Sequence, residues 1–198
     1  MAERDIQTDL VHAGESAPIE GAVVLPVFQS ATFVSQPGEA YDDIRYLRLN
    51  NTPNHRALHA KLAAIAGAEA AVVTGSGMAA IAVALMALLK AGDHFLAQDC
   101  LYGGTHSLLT EDVPPLGLEF DFVQGNAPHT WEALLRPTTR LIYVETMTNP
   151  LLEVADLEAV VTFARRHGLL AVIDNTFASP VNFRPLQLGF DLEIHSAT

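Results

Sequence analysis

From Asn54 onward, short apolar runs alternate with helical segments, and this alternation limits the chain to a small set of folds. The apolar runs predict strands over 70–74, 94–98, 118–123, 141–145 and 169–174, with one more strand before Ser196. Between them, the patterns predict helices over 54–66, 78–90, 129–136 and 156–167. Strands that alternate with helices of this length are typical of a mainly parallel sheet with helices on both faces. We therefore predict an α/β fold.

Residues 1–53 have a different character from the rest of the chain. Proline recurs there at positions 18, 26, 37 and 53, and no helical period is recognisable. This pattern predicts an extended arm with little core of its own. The apolar residues between 23 and 28 favour packing of the arm on another surface, such as a partner subunit. The predicted organisation is an arm, 1–53, followed by a domain, 54–198.

Charge and cysteine content exclude several classes of protein. The net charge of −12 argues against partners such as nucleic acid and anionic membrane surfaces. No apolar run reaches the ~18 residues of a membrane span, and the charged start, Met1–Asp5, lacks the apolar core of a signal peptide. The single cysteine, Cys100, excludes an internal disulfide and fits a reducing compartment. These features predict a cytoplasmic protein.

Polar residues that could take part in binding or catalysis follow the predicted strands. Parallel α/β sheets bind ligands at the edge where their strands end. Gly75–Met78 lies between a strand and a helix, where free N–H groups of the first helical turn attract an anion. Asp174 closes the apolar run that begins at Leu169, and a carboxylate there is costly to bury unless it is paired. A cationic group of a ligand is a suitable partner, because each charge keeps the other ionised.

The sequence of these strand ends resembles that of the Cys/Met-metabolism family of pyridoxal-phosphate (PLP) enzymes, the transsulfuration enzymes. The matching motifs are Ser76–Ala80, Tyr102–Thr105, Glu145–Pro150, Asp174–Phe177 and Ser196–Thr198. The resemblance begins at Thr8 and spans nearly the whole chain. It implies that 54–198 is the PLP-binding large domain of fold type I, and that the family's C-terminal domain lies outside these residues.

The resemblance also implies a role for each matched residue. Tyr102 would stack on the cofactor ring and assist proton transfer, and Asp174 would pair with the pyridine nitrogen. Asn149 would bind near the ring's phenolic oxygen, with support from Glu145. The remaining residues implied to bind the cofactor are Ser76, Gly77, Met78, Thr176, Ser196 and Thr198, together with Tyr46 and Arg48, which would reach the phosphate of a neighbouring subunit.

Neither lysine of the chain suits covalent binding of the cofactor. Lys61 and Lys90 fall on predicted helices, so we assign them structural roles. In the family the binding lysine directly follows Ser-Ala-Thr, so it is expected immediately after Thr198, outside the 198 residues. His55 and His59 have a spacing compatible with a metal, but Arg56 stands where a zinc-protease motif has glutamate, so no metal site is predicted.

The implied enzyme is a homotetramer that eliminates or replaces a β or γ substituent of a sulfur-containing or O-acyl amino acid. Methionine γ-lyases usually carry cysteine at the place of Gly104, so the resemblance favours cystathionine γ-synthase or γ-lyase. Methionine γ-lyase, cystathionine β-lyase and O-acylhomoserine sulfhydrylase stay open.

Two hypotheses from other classes also stay open. Gly75–Ala80 matches G-x-G-x-x-A, and Asp99 follows the next strand, which is a pattern of NAD(P)-dependent oxidoreductases. That hypothesis leaves Tyr102, Asn149 and Asp174 unexplained. The second is a non-catalytic homologue, which any residue but lysine after Thr198 would favour.

Overall fold

The computed structural model describes residues 5–14 and 17–198, without the side chain of Asp42. Residues 1–4, which entered the argument against a signal peptide, lie outside it. The chain forms two compact units, one ending at Val73 and the other spanning Thr74–Thr198. The predicted division into 1–53 and 54–198 stays a prediction. No helix within the described ranges is long and apolar enough to cross a membrane.

The second unit is built on one parallel five-stranded sheet. Its strands are β1 His94–Gln98, β2 Glu119–Val123, β3 Thr139–Glu145, β4 Leu170–Asp174 and β5 Leu192–Ile194. Their order across the sheet is β2-β1-β3-β4-β5. The strands predicted over 94–98, 118–123, 141–145 and 169–174 are confirmed with small shifts of their ends, and so is the α/β fold.

Six α-helices connect and cover these strands. They are α3 Gly77–Leu88, α4 Gly103–Ser107, α5 Pro128–Trp131, α6 Leu157–His167, α7 Ser179–Asn182 and α8 Pro185–Leu188. The numbering starts in the first unit, with α1 Ile6–His12 and α2 Pro53–Ala66. The helix predicted over 129–136 is wrong in extent, since α5 is one turn followed by a 3-10 turn, Glu132–Leu134. Pro137 disfavours helical backbone at Arg136, so the segment ends before that residue.

Helices pack on both faces of the sheet. Ile81 and Leu85 of α3 belong to the apolar cluster on one face, and Val160 and Phe163 of α6 belong to the cluster on the other. Strand residues alternate between the two clusters, because successive side chains of a strand point to opposite faces. The strand residues Phe95, Leu96, Leu141, Ile142, Val172 and Ile173 are fully buried. Polar groups of the strands can therefore meet a ligand only near the strand ends.

His94 anchors the end of the sheet at which the strands begin. Its Nδ1 lies 2.8 Å from Thr139 Oγ1, which accepts the N–H of Arg136. The Thr139 hydroxyl is therefore free to donate its proton to Nδ1, which leaves the ring proton on Nε2, 3.2 Å from Asp121 Oδ2. Burial of the ring lowers the pKa of His94, and the Arg136 charge lowers it further, against the opposing effect of Asp121.

We expect His94 to make the second unit less stable in mild acid. Because the pKa of His94 is lowered from 6.5 in the folded state, the unfolded chain takes up more protons below that pH. The free energy of unfolding, followed through the fluorescence of the single, buried Trp131, should therefore fall between about pH 7.5 and 5.5 more in the wild type than in His94→Asn. Exposed His129→Asn is the control; equal slopes for His94→Asn and wild type would contradict the prediction.

Two α-helices lie among the described residues of the first unit. Helix α1, Ile6–His12, begins after Asp5, whose side chain accepts the N–H of Gln7; helix α2, Pro53–Ala66, ends at left-handed Gly67. The expectation of an arm without helix is wrong at α1, which is too short to show a clear period. Asn54, near the start of α2, binds the backbone N–H and C=O of Phe28 through its side chain.

The strand predicted over 70–74 is wrong. The segment has no regular structure, and Val72 is 73% exposed. Its backbone groups bind side chains: Val73 N–H donates to His59 Nε2 at 3.2 Å, and Val73 C=O accepts from Asn50 Nδ2 at 2.9 Å. Within the described residues, no strand offers these groups a ladder partner.

Candidate active site

Most of the predicted site residues meet at one edge of the sheet in the second unit. Tyr102 follows β1, Glu145 closes β3, Asp174 closes β4, and Ser196 follows β5. The parallel register places Glu145 opposite Asp174, and Asp174 opposite Ile194. The sheet therefore brings these groups together at its carboxyl end, as the sequence predicted.

Glu145 connects the loops that follow two neighbouring strands. Its Oε1 accepts the N–H of Tyr102 at 2.7 Å, and its Oε2 accepts the N–H of Asn149 at 3.3 Å. Its own N–H donates to Oε1 of Gln98, a buried residue that sequence reasoning missed. Glu145 is only 4% exposed. It therefore holds the backbone of two residues expected to contact the cofactor.

The environment of Glu145 shifts its titration into the neutral range. Burial raises its pKa to about 7, and the nearby carboxylate of Asp174 acts in the same direction. The hydrogen bonds from the N–H groups of Tyr102 and Asn149 oppose this increase, because they favour the charged form. Near pH 7, Glu145 is therefore partly protonated.

Asp174 has one bound and one available carboxylate oxygen. Oδ1 accepts the N–H of Thr176 at 2.9 Å, while no described residue donates a hydrogen bond to Oδ2. The side chain is only partly buried. Thr176, in turn, uses its Oγ1 to accept the N–H of Ser196 at 2.8 Å. Asp174 therefore has one oxygen that can accept a hydrogen bond from a ligand, and Thr176 joins the ends of β4 and β5.

The start of α3 and the end of β5 form a set of donors suited to a phosphate. The first turn of α3 leaves the N–H groups of Gly77 and Met78 without acceptors in the helix. The hydroxyls of Ser196 and Thr198 lie 2.8 Å apart. A Cβ on Gly77 would lie 2.7 Å from Ser196 Cβ, so glycine permits this close approach. Helix N–H groups together with hydroxyls are a typical anion-binding arrangement.

Ser76 has a capping role in the structure. Its side chain accepts the N–H of Ala79 at 3.0 Å and so caps α3. A cap of this kind fixes the direction in which the helix begins. Direct binding of a cofactor by Ser76 stays a prediction.

The ring of Tyr102 is accessible to a ligand and lies close to Gly104. Tyr102 is 48% exposed. A Cβ on Gly104 would lie 2.7 Å from Tyr102 Cε1 and 2.9 Å from Met78 Sδ, so a side chain at position 104 would displace the ring. The absence of a side chain at Gly104 therefore lets Tyr102 occupy a position from which it can stack on a planar ligand.

Tyr46 and Arg48 belong to the first unit. The Arg48 guanidinium carbon lies 5.5 Å from the centre of the Tyr46 ring, and Arg48 is exposed. Asn51 shapes this loop, since its side chain accepts the N–H of Tyr46 and donates to the C=O of Ile44. The resemblance implies Gly/Ser-Asn-Pro-Thr at positions 50–53, and the chain departs from it with Asn50 and with the order Thr52-Pro53. The loop nevertheless has a defined form.

His55 and His59 already have protein partners. His55 Nδ1 lies 2.7 Å from Thr52 Oγ1, and His59 Nε2 accepts the N–H of Val73. Among the residues that the structure describes, no group of three His, Cys, Asp or Glu side chains could hold a metal ion.

The profile of the family described as Cys/Met metabolism PLP-dependent enzyme matches residues 7–198. The chain therefore belongs to this family. It is 42% identical over 192 residues to a probable cystathionine γ-synthase of Herpetosiphon aurantiacus. It is 38% identical to both an L-methionine γ-lyase of Porphyromonas gingivalis and a cystathionine γ-lyase of Bacillus subtilis. These matches cover 96–97% of the chain, but 60%, 50% and 50% of the three relatives.

Solved structures agree with this assignment. Cystathionine γ-lyase from Lactobacillus plantarum, complexed with L-serine, superposes with a TM-score of 0.90 at 36% identity. The metB protein from Corynebacterium glutamicum also gives 0.90, at 34% identity. Each match covers 97% of this chain and 50% of the other. The chain thus spans about half the length of most of these relatives.

Gly77→Ala is expected to disturb the contact between α3 and β5. The new Cβ would lie 2.7 Å from Ser196 Cβ and 3.1 Å from Ser196 Cα, so the backbone must shift. Overpacking of this kind costs about 1–3 kcal/mol of stability. Gly75→Ala is the matched control, because no atom lies within 4 Å of its added Cβ. Denaturant unfolding of both variants checks this; equal stability would contradict it.

Proposed function

We propose that the intact protein is a PLP-dependent enzyme that eliminates or replaces a β or γ substituent of an amino acid, of the cystathionine γ-synthase or γ-lyase type. The observation that carries the proposal is the arrangement around Asp174. Its available Oδ2 lies at the same edge of the sheet as the free N–H groups of Gly77 and Met78. The hydroxyls of Ser196 and Thr198 lie at this edge as well. A carboxylate and a phosphate cradle at one edge match the two charged ends of PLP.

The residues of the second unit fit this cofactor. Asp174 would pair with the pyridine nitrogen, and the ring of Tyr102 would stack on the pyridine face. Gly77, Met78, Ser196 and Thr198 would bind the phosphate. When bound, PLP supplies an electron sink that stabilises negative charge at the substrate's α carbon.

The side chains divide the remaining work among them. Asp174 keeps the proton on the pyridine nitrogen, because an adjacent carboxylate favours the cationic ring. Glu145 holds the backbones of Tyr102 and Asn149, which fixes the stacking ring and the neighbouring amide. The half-exposed phenol of Tyr102 can exchange a proton with a bound substrate. The lysine expected after Thr198 would act as general base at the α carbon.

Exposed apolar residues of the first unit support the proposal that the enzyme is oligomeric. Val23, Val24, Val27 and Val34 are 94%, 77%, 80% and 87% exposed. Apolar exposure of this extent favours burial against another subunit. We propose a homotetramer in which Tyr46 and Arg48 serve a neighbouring subunit. A cytoplasmic location is supported by the single cysteine and the acidic charge.

The choice among family members depends on few residues. Gly104 supports the γ-synthase or γ-lyase type, and relatives of both names are among the matches. A methionine γ-lyase, cystathionine β-lyase or sulfhydrylase activity is the second candidate, since relatives named for the first two match at comparable identity.

The test uses the intact protein, reduced with borohydride and digested. A PLP adduct on a lysine directly after Thr198 is the expected result. Assays with an O-acylhomoserine plus cysteine, with cystathionine and with methionine then separate the members. An intact protein that forms no adduct and turns over none of these would contradict the proposal, and binding of NAD(P)H would favour an oxidoreductase instead.

A further inference from the structure

A mostly buried chain of hydrogen-bonded side chains crosses the ends of β3, β4 and β5. The hydroxyl of Thr146 donates to Asn175 Oδ1 at 2.7 Å. Asn175 Nδ2 donates to Glu193 Oε1 at 2.8 Å, and His195 Nε2 lies 2.5 Å from the same oxygen. None of these four residues was assigned a role in the reaction.

The position of Glu193 is unusual for a carboxylate. It lies in β5 opposite Ile173, with a side chain only 3% exposed. Its Oε1 takes both donors, and its buried Oε2 has no hydrogen-bond partner among the described residues. Burying an acid is costly, and two donors on one oxygen offset only part of the penalty. Within β5, this acid connects Asn175 to His195, as an apolar residue could not.

Both the oxygen and the nitrogen of the Asn175 side chain have hydrogen-bond partners. It is fully buried, and its Nδ2 also donates to the C=O of Phe183 at 2.8 Å. Its backbone N–H donates to the C=O of Ile194 at 2.8 Å. Asn175 therefore ties the end of β4 to β5 through backbone and side chain together.

These hydrogen-bonded side chains end beside the segment that carries the hydroxyls of Ser196 and Thr198. His195 immediately precedes Ser196, whose N–H is held by Thr176 Oγ1 at 2.8 Å. The segment from Ile194 to Ser196 is thus fixed by Asn175, by Glu193 and by Thr176. Ser196 lies beside the start of α3, and the Thr198 hydroxyl lies 2.8 Å from the Ser196 hydroxyl.

We infer that Asn175 and Glu193 are positioning residues that hold the Ser196 and Thr198 hydroxyls in the orientation that binds the phosphate of the ligand. This inference rests on the proposed function. It adds that the two hydroxyls, held in place by Asn175 and Glu193, make the site selective for a phosphorylated ligand. A residue that acts only through the hydroxyls affects binding of PLP, but not of pyridoxal, which has no phosphate.

The experiment measures dissociation constants of PLP and of pyridoxal with the cofactor-free intact protein. Glu193→Ala, which removes both contacts, is expected to weaken PLP binding about tenfold and to change pyridoxal binding by less than about twofold. Glu193→Gln keeps an acceptor for Asn175 and His195 and should stay within about threefold of wild type. Exposed Glu153→Ala is the matched control.

His195→Ala removes one contact from a partly exposed side chain and keeps the test possible if Glu193→Ala does not fold. It should weaken PLP binding about threefold and spare pyridoxal. Equal losses for both ligands would show a general effect on the fold and would overturn the inference, as would unchanged PLP binding. A wild type that binds neither ligand would overturn the proposed function and this inference with it.

Discussion

Asp174→Asn is expected to lower turnover by the intact enzyme on the order of 10²–10⁴-fold. The amide has nearly the shape of the acid but carries no charge to keep a proton on the pyridine nitrogen. Removing one partner of a desolvated charge pair costs about 3–5 kcal/mol, which sets this range. In the variant, the amide oxygen can take the place of Oδ1 and still accept the N–H of Thr176.

Steady-state turnover and PLP affinity of Asp174→Asn are the quantities to measure. Asp112→Asn, the same chemical change at an exposed position, is the matched control and should match the wild type. The fluorescence of buried Trp131 reports whether both variants are folded. A folded Asp174→Asn protein with full turnover would exclude Asp174 as the charge partner of the cofactor.

Glu145→Gln is expected to weaken PLP binding by about 10–100-fold, because only one oxygen remains to accept two backbone N–H groups. Either Tyr102 or Asn149 loses its acceptor, and a buried unpaired N–H costs about 1–3 kcal/mol. The loop that loses its anchor no longer holds its residue against the ligand. Glu153→Gln, exposed in the same unit, is the control, and wild-type affinity for both variants would contradict the prediction.

The same variant should alter how stability depends on pH. The folded-state pKa of Glu145, about 7, lies above its ordinary value of 4.5. The folded protein therefore holds a proton that the unfolded chain has released, and stability decreases as pH rises from 4.5 to 7. Glu145→Gln should lack this decrease, which is on the order of 3 kcal/mol for the cofactor-free protein. His94 acts in the opposite direction, so comparison of the variants separates the two effects.

The strands and the main helices were predictable because their signals are local. Asp174 ends a run of apolar residues, and Gly67 and Gly168 stop their helices in left-handed conformation. The segment 70–74 has the composition of a strand, but a strand also needs a neighbour. Composition alone cannot supply that information.

The contacts that complete the site could not be predicted, because they join residues far apart in the sequence. Glu145 and the N–H of Tyr102 are separated by 43 positions, and Asn175 and Glu193 by 18. The resemblance indicated that Glu145 matters, but not that it binds two loops through their backbones. Glu193 did leave a signal, since an acid inside a short apolar strand requires a buried partner.

The order of the strands along the chain has a consequence for when the ligand can first be captured. Synthesis proceeds from the N-terminus, so β1 to β4 are available for pairing before β5 exists. The hydroxyl of Ser196 follows β5, and it reaches the start of α3 only when β5 has joined β4. A ligand that needs this contact stabilises the sheet with β5 paired, and no form in which β5 is unpaired. Cofactor loading would then distinguish the chains in which β5 has paired, and stabilise them relative to chains in which it has not.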